Sequence, residues 1–411
     1  MNSITVDIEK LQREIDALAL ITEATPPVVT RVLFSEADLR GRAFVKNLCR
    51  EAGLVLREDA VGNMFARWVG TDQNLPAVAT GSHIDAIPNA GKYDGVVGVL
   101  GALEAIRALQ AAGFQPQRSI ELIVFTAEEP TRFGIGCLGS RLLGGVLSLE
   151  RAAALRDCAG RDLEFWLMQG GCAGSLPSVK LAGDCYAAFV ELHIEQGPLL
   201  EAENLDIGIV EKIAAPSSLR LQLTGVGGHA GATLMPGRRD ALLAGAEIAL
   251  AVEHAATTSG SLDTVGTTGI FRIAPGAVNS VPCEAYLEID LRDTQVATRD
   301  AALAQIENRA AAICQRRGIK LALQRVNVDP PAICNAPLVQ TVEQVCHKLQ
   351  IAATKLTSHA YHDALFMAPV CPTTMIFIPC RGGVSHRPDE YSSPAQIQIG
   401  VRVLAEILAA V

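Results

Sequence analysis

The stretch AVATGSHIDAIPNAGKYDGVVGVLGAL, residues 77–103, sets out the fold of this 411-residue chain. It begins with a short apolar run, passes through a polar segment that contains His83 and Asp94, and enters a run rich in Ala and Leu. The first run predicts a buried strand, and the last predicts a buried helix, Val96–Ala112, that ends before Gly113. The sequence therefore predicts strand, polar loop and helix in succession, with two candidate metal ligands in the loop.

The same alternation of strands and helices continues along the chain. Further strands are predicted at Ile120–Thr126 and Ala187–His193, and a helix and a strand return late in the chain at Leu338–Leu349 and Thr373–Pro379. Such alternation is typical of an α/β fold, a mostly parallel sheet with helices on both faces. We expect residues 1–212 and 329–411 to form one metal-binding catalytic domain.

Residues 213–328 show a different order of elements, strand, helix, strand, strand, helix and strand. This is the ferredoxin-like α+β order, so we expect an inserted second domain. Hinges near Ile213 and Asp329 would let it close as a lid. The predicted elements are Leu219–Thr224, Arg239–His254, Thr264–Arg272, Ala285–Arg292, Thr298–Arg317 and Lys320–Val328.

Composition excludes several classes of partner. The net charge is -9 and no cluster of basic residues occurs, which argues against nucleic acid as a partner. The apolar runs are too short to cross a bilayer, and the acidic residues before Thr25 do not fit a signal peptide, so we expect a soluble, cytoplasmic protein without a membrane partner. The 11 Cys show no Cys-x-x-Cys spacing, so neither a disulfide framework nor a thiolate zinc site is indicated.

Five potential metal ligands follow predicted strands or lie in glycine-containing turns: His83, Asp94, Glu129, His193 and His386. In open α/β sheets, ligands bind beyond the carboxyl ends of the strands, where these side chains would converge. A single His is more often a core or surface residue, but three of the 8 His stand beside carboxylates in this way. Such ligands suit Zn, Mn or Co, and a shared carboxylate, for which Asp94 is the candidate, can bridge two ions about 3.5 to 4 Å apart. The pattern indicates a two-metal hydrolase.

Neighbouring acidic residues fit supporting roles. If the strand continued through Glu128 and Glu129, their side chains would point to opposite faces, so one would bind metal and the other would act as general base on a water molecule. Asp85 is expected to accept the second N–H of the His83 imidazole and so fix its orientation. Taken alone, an acidic pair on a solvated loop and an ordinary turn Asp would explain the same residues.

These motifs resemble the metal-dependent amidohydrolases of the aminoacylase/carboxypeptidase-like superfamily. The resemblance is to the hydantoinase/carbamoylase branch, which contains N-carbamoyl-L-amino acid hydrolases, allantoate amidohydrolases and ureidoglycolate amidohydrolases, and it covers nearly the whole chain. The matching stretches are Gly81–Gly95, Thr126–Phe133, Glu191–Pro198, Gly227–Gly231 and Ser385–Glu390.

The resemblance implies a role for each candidate metal ligand. One ion would be held by His83, Asp94 and His193. The other would be held by Asp94, Glu129 and His386. Both ions would be Mn or Zn, and Glu128 would be the general base.

The resemblance also implies substrate contacts. Gln196 would meet a ureido group, and Asn279 and Arg292 would hold a carboxylate, for which a guanidinium offers paired donors. His229 would reach the active site of a partner subunit and stabilise the oxyanion that develops there, so the active unit would be a homodimer joined through the inserted domain. Without the resemblance, each of these side chains would equally suit a local turn or a solvated strand end.

The choice of substrate depends on the residues before and within a His-Asp pair. Tyr361 precedes His362 here, as it does in ureidoglycolate amidohydrolases, whereas carbamoylases and allantoate hydrolases commonly have Gly in that place. The resemblance therefore implies hydrolysis of the ureido carbon–nitrogen bond of a small carboxylate, ureidoglycolate in the first place, with Tyr361 and His362 among the substrate contacts. The alternatives are an N-carbamoyl-L-amino acid hydrolase, an allantoate amidohydrolase, and a metal-binding protein without catalytic activity.

Overall fold

A computed structural model describes residues 3–411 of the chain and divides it into two compact units. The first unit extends to Glu211 and also includes Ile333–Leu356 and His362–Val411. The second consists of Lys212–Ala332 with the short segment Thr357–Tyr361. The first two residues of the predicted catalytic domain lie outside the described part of the chain. The roles expected for the two units, catalysis and closure with dimerisation, stay predictions.

The secondary structure alternates strands and helices along most of the chain. The strands are β1 (Val29–Arg31), β2 (Val55–Glu58), β3 (Met64–Trp68), β4 (Ala77–His83), β5 (Ala86–Ala90), β6 (Ile120–Phe125), β7 (Tyr186–Ile194), β8 (Ile207–Ile213), β9 (Ala215–Thr224), β10 (Gly228–His229), β11 (Val265–Ala274), β12 (Ser280–Val281), β13 (Glu284–Asp293), β14 (Lys320–Val328), β15 (Ala332–Ile333), β16 (Ala353–Ser358) and β17 (Thr373–Ile378). The helices are α1 (Ile8–Ala19), α2 (Glu36–Glu51), α3 (Val96–Ala111), α4 (Leu138–Leu143), α5 (Leu149–Ala154), α6 (Leu163–Gln169), α7 (Leu199–Ala202), α8 (Ala241–Thr257), α9 (Val296–Arg317), α10 (Ala336–Leu349), α11 (Asp363–Met367) and α12 (Pro394–Ala410). Two short 3-10 helices cover Leu176–Ser178 and Arg381–Gly383.

The central sheet of the first unit has nine strands in the order β15-β8-β17-β7-β4-β6-β3-β2, with β16 paired to β8. Its four middle strands, β17, β7, β4 and β6, run parallel to one another, and β8 and β3 add antiparallel neighbours on either side. Every residue of β4, β6 and β17 is buried. Because successive side chains of a strand point to opposite faces, both faces of this sheet are covered.

Helices provide that cover. Helix α3 packs against β4, β7 and β6 and against α12, and α12 continues across β17 and β7. Helix α11 also contacts β7 and β17 and packs on α4. The predicted α/β class, a mostly parallel sheet covered by helices, is confirmed.

The second unit is a four-stranded antiparallel sheet in the order β11-β13-β9-β14. Helices α8 and α9 pack on each other and on this sheet, and the chain order β9, α8, β11, β13, α9, β14 is the predicted ferredoxin-like order. Buried and more exposed residues alternate along β9. Its buried residues Leu219, Leu221 and Leu223 belong to a hydrophobic core that also contains Ile248 of α8 and Ile306 of α9. A short pair of strands, β10 and β12, lies apart from this sheet.

Among residues 3–411, no helix combines the length and the apolar character needed to cross a membrane.

Candidate active site

The candidate metal ligands of the first unit lie beyond the carboxyl ends of its parallel strands. His83 is the last residue of β4, His193 is the last but one of β7, and Glu129 follows the end of β6. His386 lies in the turn that follows β17. Since carboxyl ends of neighbouring parallel strands share one edge of a sheet, four separate segments supply side chains to the same place.

Asp94 lies at the centre of this group and faces ligands on both of its carboxylate oxygens. Its Oδ1 is 3.2 Å from His193 Nε2 and 3.7 Å from His83 Nε2. Its Oδ2 is 3.2 Å from His386 Nε2, which in turn is 3.4 Å from Glu129 Oε1. The ligand atoms of each of the two sets lie within 4.8 Å of one another. Asp94 is thus shared by two groups of three residues that could each hold a metal ion.

The two buried imidazoles are turned so that the same nitrogen faces Asp94. His83 Nδ1 lies 3.0 Å from the backbone carbonyl of Asp85, and His193 Nδ1 lies 2.9 Å from that of Ile194. An Nδ1–H that donates to a carbonyl leaves Nε2 for a metal ion. Gly95 is needed for this packing, because a Cβ there would lie 2.5 Å from the His83 ring and its φ is +65°.

Asp85 does not act as the sequence predicted. Its carboxylate accepts the backbone N–H of Glu128 at 3.2 Å and that of Glu129 at 3.1 Å, whereas its Oδ1 is 3.6 Å from His83 Nδ1. The backbone carbonyl of Asp85 contacts the imidazole instead. The side chain of Asp85 therefore orients the acidic pair, and its main chain orients His83.

Glu128 and Glu129 lie in a turn, so the expected alternation of a continuing strand does not apply. Strand β6 ends at Phe125, and Ala127 has a positive φ of 53°. The turn is held by a backbone hydrogen bond of 2.7 Å from Cys137 N to Glu128 O, and the Cys137 thiol lies 3.5 Å from Glu128 Oε1. Glu128 Oε2 lies 3.8 Å from His83 Nε2, and Glu129 faces His386. The pair still divides between two places, as a base and a ligand would.

The buried acidic groups of this site shift one another's ionisation. Burial raises the pKa of Glu128 well above its ordinary value, and Glu129 raises it further against the opposing effect of His83. Burial and Asp94 raise the pKa of Glu129 to about 7. Burial alone would raise the pKa of Asp94, but its hydrogen bonds with His193 and His386 hold that pKa well below the ordinary value. The hydrogen bond with Asp94 also raises the pKa of His386 to about 9.

These residues fit divalent cations. Buried carboxylates need compensating positive charge, and the raised pKa values of Glu128 and Glu129 show that their neighbours do not supply enough of it. Imidazole and carboxylate donors that converge in two sets with one shared member are ligands that Zn and Mn accept. The chain therefore has clusters of residues suited to metal ions.

Gln196 and His362 also lie at this site. Gln196 has a positive φ of 56°, and its Nε2 donates to Asp94 Oδ2 at 2.8 Å. Its Oε1 is buried without a hydrogen-bond partner in the described part of the chain. The buried His362 ring lies 4.4 Å from the ring of His193, between centroids, and His362 with Glu191 and His193 forms a third close group of potential ligands.

The remaining candidates belong to the second unit. His229 and Asn279 are both exposed. They are close to each other because β10 pairs with β12 and the backbone N–H of Ala230 donates to Asn279 O at 2.8 Å. Both side chains lie at the surface of this unit. The imidazole is oriented by the backbone N–H of Gly231, which donates to its Nδ1 at 3.2 Å.

Arg292 and Tyr361 form a second pair in that unit. The guanidinium lies over the Tyr361 ring, 5.4 Å from its centroid, and its Nη1 donates to the carbonyl of His359 at 2.9 Å. Asp290 accepts from Arg292 Nε at 2.7 Å. These contacts fix the guanidinium plane beside the phenol ring.

Several site residues were not singled out from the sequence. The carboxylate of Glu191 accepts hydrogen bonds from Ser82 Oγ and from the backbone N–H of Ala364. Ser385 and Glu390 contact the loop that carries Asp94. Glu191, Ser385 and Glu390 all lie inside the stretches that resemble the amidohydrolases, and this was the one sign in the sequence of their importance. Their partners are distant in sequence, so the contacts themselves were not visible there.

Comparison with known proteins agrees with this geometry. The model of Peptidase family M20/M25/M40 matches residues 79–410. Ureidoglycolate hydrolase of Arabidopsis thaliana is 51% identical, over 99% of this chain and 87% of that protein. N-carbamoyl-L-amino acid amidohydrolase of Geobacillus stearothermophilus is 36% identical, over 96% of each chain. Crystal structures of AtUAH in complex with glyoxylate and with (S)-hydroxyglycine are 52% and 51% identical, each with a TM-score of 0.93 and covering 99% of this chain and 98% of theirs.

The family model spans most of the chain, and the relatives align over nearly its full length. The candidate metal ligands described above agree with both findings. The chain belongs to Peptidase family M20/M25/M40.

Proposed function

We propose that this protein hydrolyses the ureido carbon–nitrogen bond of ureidoglycolate. The observation that carries the proposal is the 51% identity with ureidoglycolate hydrolase of Arabidopsis thaliana, which extends over 99% of the chain. The candidate active site supports it, because it brings a buried glutamate, Glu128, close to two groups of potential metal ligands that share one carboxylate.

The overall reaction balances with one water molecule. Attack of water on the ureido carbon releases the terminal nitrogen as ammonia and leaves a carbamate. The carbamate loses carbon dioxide to give hydroxyglycine, which eliminates its amine as a second ammonia to give glyoxylate. The similar protein AtUAH has been crystallised with (S)-hydroxyglycine and with glyoxylate, the last two species of this sequence.

Two divalent cations, Mn or Zn, complete the proposed site. His83, Asp94 and His193 would hold one of them, and Asp94, Glu129 and His386 would hold the other. Such ions lower the pKa of water and polarise a carbonyl oxygen when they are bound.

Glu128 is the proposed general base. Its carboxylate takes a proton from the attacking water and then delivers a proton to the departing nitrogen. The position suits this task, because Glu128 lies beside His83 but belongs to neither group of three proposed ligands for the two cations. Cations bound nearby would favour its charged form and bring its raised pKa down towards the working range.

Gln196, Asn279, Arg292 and His229 are the proposed substrate contacts. Gln196 accepts from the ureido N–H through its buried Oε1, while its N–H stays on Asp94. Asn279 and Arg292 bind the substrate carboxylate, for which the guanidinium provides planar donors. His229 stabilises the oxyanion that develops on the ureido oxygen of substrate bound in the active site of a partner subunit. The active unit is therefore a homodimer.

Tyr361 and His362 are the proposed basis of selectivity. Ureidoglycolate carries a hydroxyl on the carbon between its carboxylate and its ureido nitrogen, where an N-carbamoyl amino acid carries its side chain. A phenol oriented by Arg292 can hydrogen bond to that hydroxyl. His362 precedes α11 and lies beside His193, close to the proposed metal ligands.

The cytoplasmic location stays a prediction from the sequence.

Initial rates with ureidoglycolate, allantoate, 3-ureidopropionate and an N-carbamoyl-L-amino acid test this proposal, with protein loaded with Mn or with Zn. The expected result is the highest kcat/KM for ureidoglycolate. A higher value for a carbamoyl amino acid or for allantoate would overturn the choice of substrate. If the metal-loaded protein turned over no ureide, the alternative of a metal-binding protein without catalysis would hold.

A further inference from the structure

Glu390 is a buried carboxylate, 5% exposed, whose contacts reach the loop that carries Asp94. Its Oε1 accepts the backbone N–H of Tyr93 at 2.8 Å and that of Asp94 itself at 3.0 Å. A buried backbone N–H that loses its acceptor costs free energy. The main chain of Asp94 is therefore held by one side chain from a distant part of the sequence.

The approach between this side chain and the loop is close enough to require glycine. A Cβ on Gly91 would lie 2.4 Å from the Cβ of Glu390 and 2.6 Å from its Oε1. Gly91 has no positive φ, so the close approach explains the glycine rather than backbone strain. The Gly91–Gly95 motif is thus shaped to receive Glu390 on one side and the His83 ring on the other.

The other oxygen of Glu390 reaches the side chain of Asp94 through a hydroxyl. Ser385 Oγ lies 2.9 Å from Glu390 Oε2 and 2.9 Å from Asp94 Oδ2. Gln196 Nε2 lies 3.2 Å from the same hydroxyl. Ser385 stands directly before His386, so the turn that carries this proposed ligand is linked to the Asp94 carboxylate by the same contacts.

The turn is closed upon itself by the backbone of Glu390, whose N–H donates to Arg387 O at 3.1 Å. This bond closes residues 387–390, and His386, which directly precedes them, has a positive φ of 59°, a conformation that needs surrounding contacts to hold it. Glu390 therefore belongs by its main chain to the segment that directly follows His386, and it contacts the Asp94 loop by its side chain.

We propose that Glu390 is a positioning residue that, with Ser385, holds the Asp94 loop and the His386 turn in register, so that both proposed metal sites form together. Glu390 does not touch substrate or metal in this role. It acts through Asp94, which belongs to both sets of ligands, and through the turn of His386, which belongs to one.

The inference rests on the proposed two-metal site, and metal binding to the metal-free protein tests it without any need for activity. Equilibrium dialysis against Mn, followed by metal analysis, gives the number of bound ions and their affinities. Changes to residues that orient metal ligands typically weaken affinity about 10- to 100-fold. We expect a loss of that size for Glu390→Ala, and a smaller one for Glu390→Gln, whose amide keeps one acceptor for the backbone and one donor for Ser385.

Asp389 provides the matched control. It is the neighbouring carboxylate of the same turn, its side chain is 54% exposed, and it pairs with Arg387 over 2.8 Å. Asp389→Ala should bind Mn as the unchanged protein does. A merely structural role for Glu390 would lower Tm but leave the affinity of the folded variant intact, so circular dichroism and dialysis well below Tm separate the two roles.

If Glu390→Ala does not fold, Ser385→Ala takes its place. It keeps the hydrogen bonds that the backbone N–H groups of Tyr93 and Asp94 donate to Glu390, and it removes the hydroxyl that links Glu390 to the Asp94 carboxylate and to Gln196. It should also weaken Mn binding. Folded variants that bind two equivalents of Mn with unchanged affinity would overturn this inference and leave the proposed function standing. Unchanged protein that binds no Mn would overturn the two-metal site and this inference with it.

Discussion

Gln196 donates its Nε2–H to Asp94 Oδ2 over 2.8 Å, while the Oε1 of the same amide lies buried and unpaired among the described residues. Buried polar atoms are nearly always hydrogen bonded, so an amide oxygen left over at a proposed active site indicates a ligand that supplies a donor. A ureido N–H is such a donor. With a ureido N–H bound there, the amide would link Asp94 to the group that is cleaved.

Replacement of Gln196 by Leu, which is similar in size, removes the hydrogen bonds to Asp94 and Ser385 and the proposed one from the substrate. We expect kcat/KM for ureidoglycolate to fall about 10- to 100-fold, because an unmet buried hydrogen bond costs about 1–3 kcal/mol. Steady-state kinetics, with metal content measured on the same sample, provide the check. A fully metal-loaded Gln196→Leu variant with unchanged kcat/KM would show that the amide does not meet the substrate.

The change Glu128→Gln removes the proposed base and keeps its shape. General base catalysis contributes about 100- to 10,000-fold, so kcat should fall by that amount while bound metal and KM change little. The matched variant is Glu129→Gln, which alters a proposed ligand and should lower metal content as well. Retention of kcat in Glu128→Gln would assign the proton transfer to another group.

Metal uptake should depend on pH through His386. Its pKa of about 9 means that the imidazole of the metal-free protein carries a proton at neutral pH, and a metal ion must displace that proton. Apparent affinity for Mn should therefore rise between pH 7 and pH 9, by up to about tenfold per pH unit for one displaced proton, and rise less steeply above that range.

Calorimetric titration in buffers of different ionisation enthalpy measures the released protons. His386→Gln should reduce the proton release, whereas His347→Gln, which changes an exposed imidazole on α10, should leave it as it was. Affinity that stays flat from pH 7 to pH 9 would contradict the assignment of His386 as a ligand.

Tyr361→Phe tests the proposed contact with the substrate hydroxyl. Loss of one hydrogen bond of about 0.5–1.5 kcal/mol should lower kcat/KM for ureidoglycolate by roughly 2- to 10-fold and leave the value for N-carbamoylglycine, which lacks that hydroxyl, close to its starting value. Parallel kinetics on the two substrates give the ratio. An equal loss on both would assign the phenol to packing against Arg292 instead.

Much of the fold follows from local patterns. The strand Lys320–Val328 has the bounds that the sequence predicts, and the strands that carry His83 and His193 differ only by a few residues at their ends. These segments are long apolar or alternating runs, whose period directly reflects the burial of one face or two. Strand β5, which contains Pro88 and pairs with the three residues of β1, has no such pattern and was not predicted.

The site divides in the same way. His83, Asp94, Glu129, His193 and His386 stand out by residue type and by their places after strands, and the structure brings them together. The role of Asp85 could not be derived, because its partners, the N–H groups of Glu128 and Glu129, become available only when β6 ends at Phe125. Glu390 contacts Tyr93 from 297 positions away, a separation that no local pattern encodes.

Hydrolysis of the terminal ureido carbon–nitrogen bond of ureidoglycolate can be distinguished by its products from cleavage between the ureido nitrogen and the carbon that carries the hydroxyl. Metal-loaded protein is incubated with ureidoglycolate, and glyoxylate, ammonia and urea are measured in the same samples over time. We expect two molecules of ammonia for each glyoxylate and no urea. One urea for each glyoxylate, without ammonia, would contradict it.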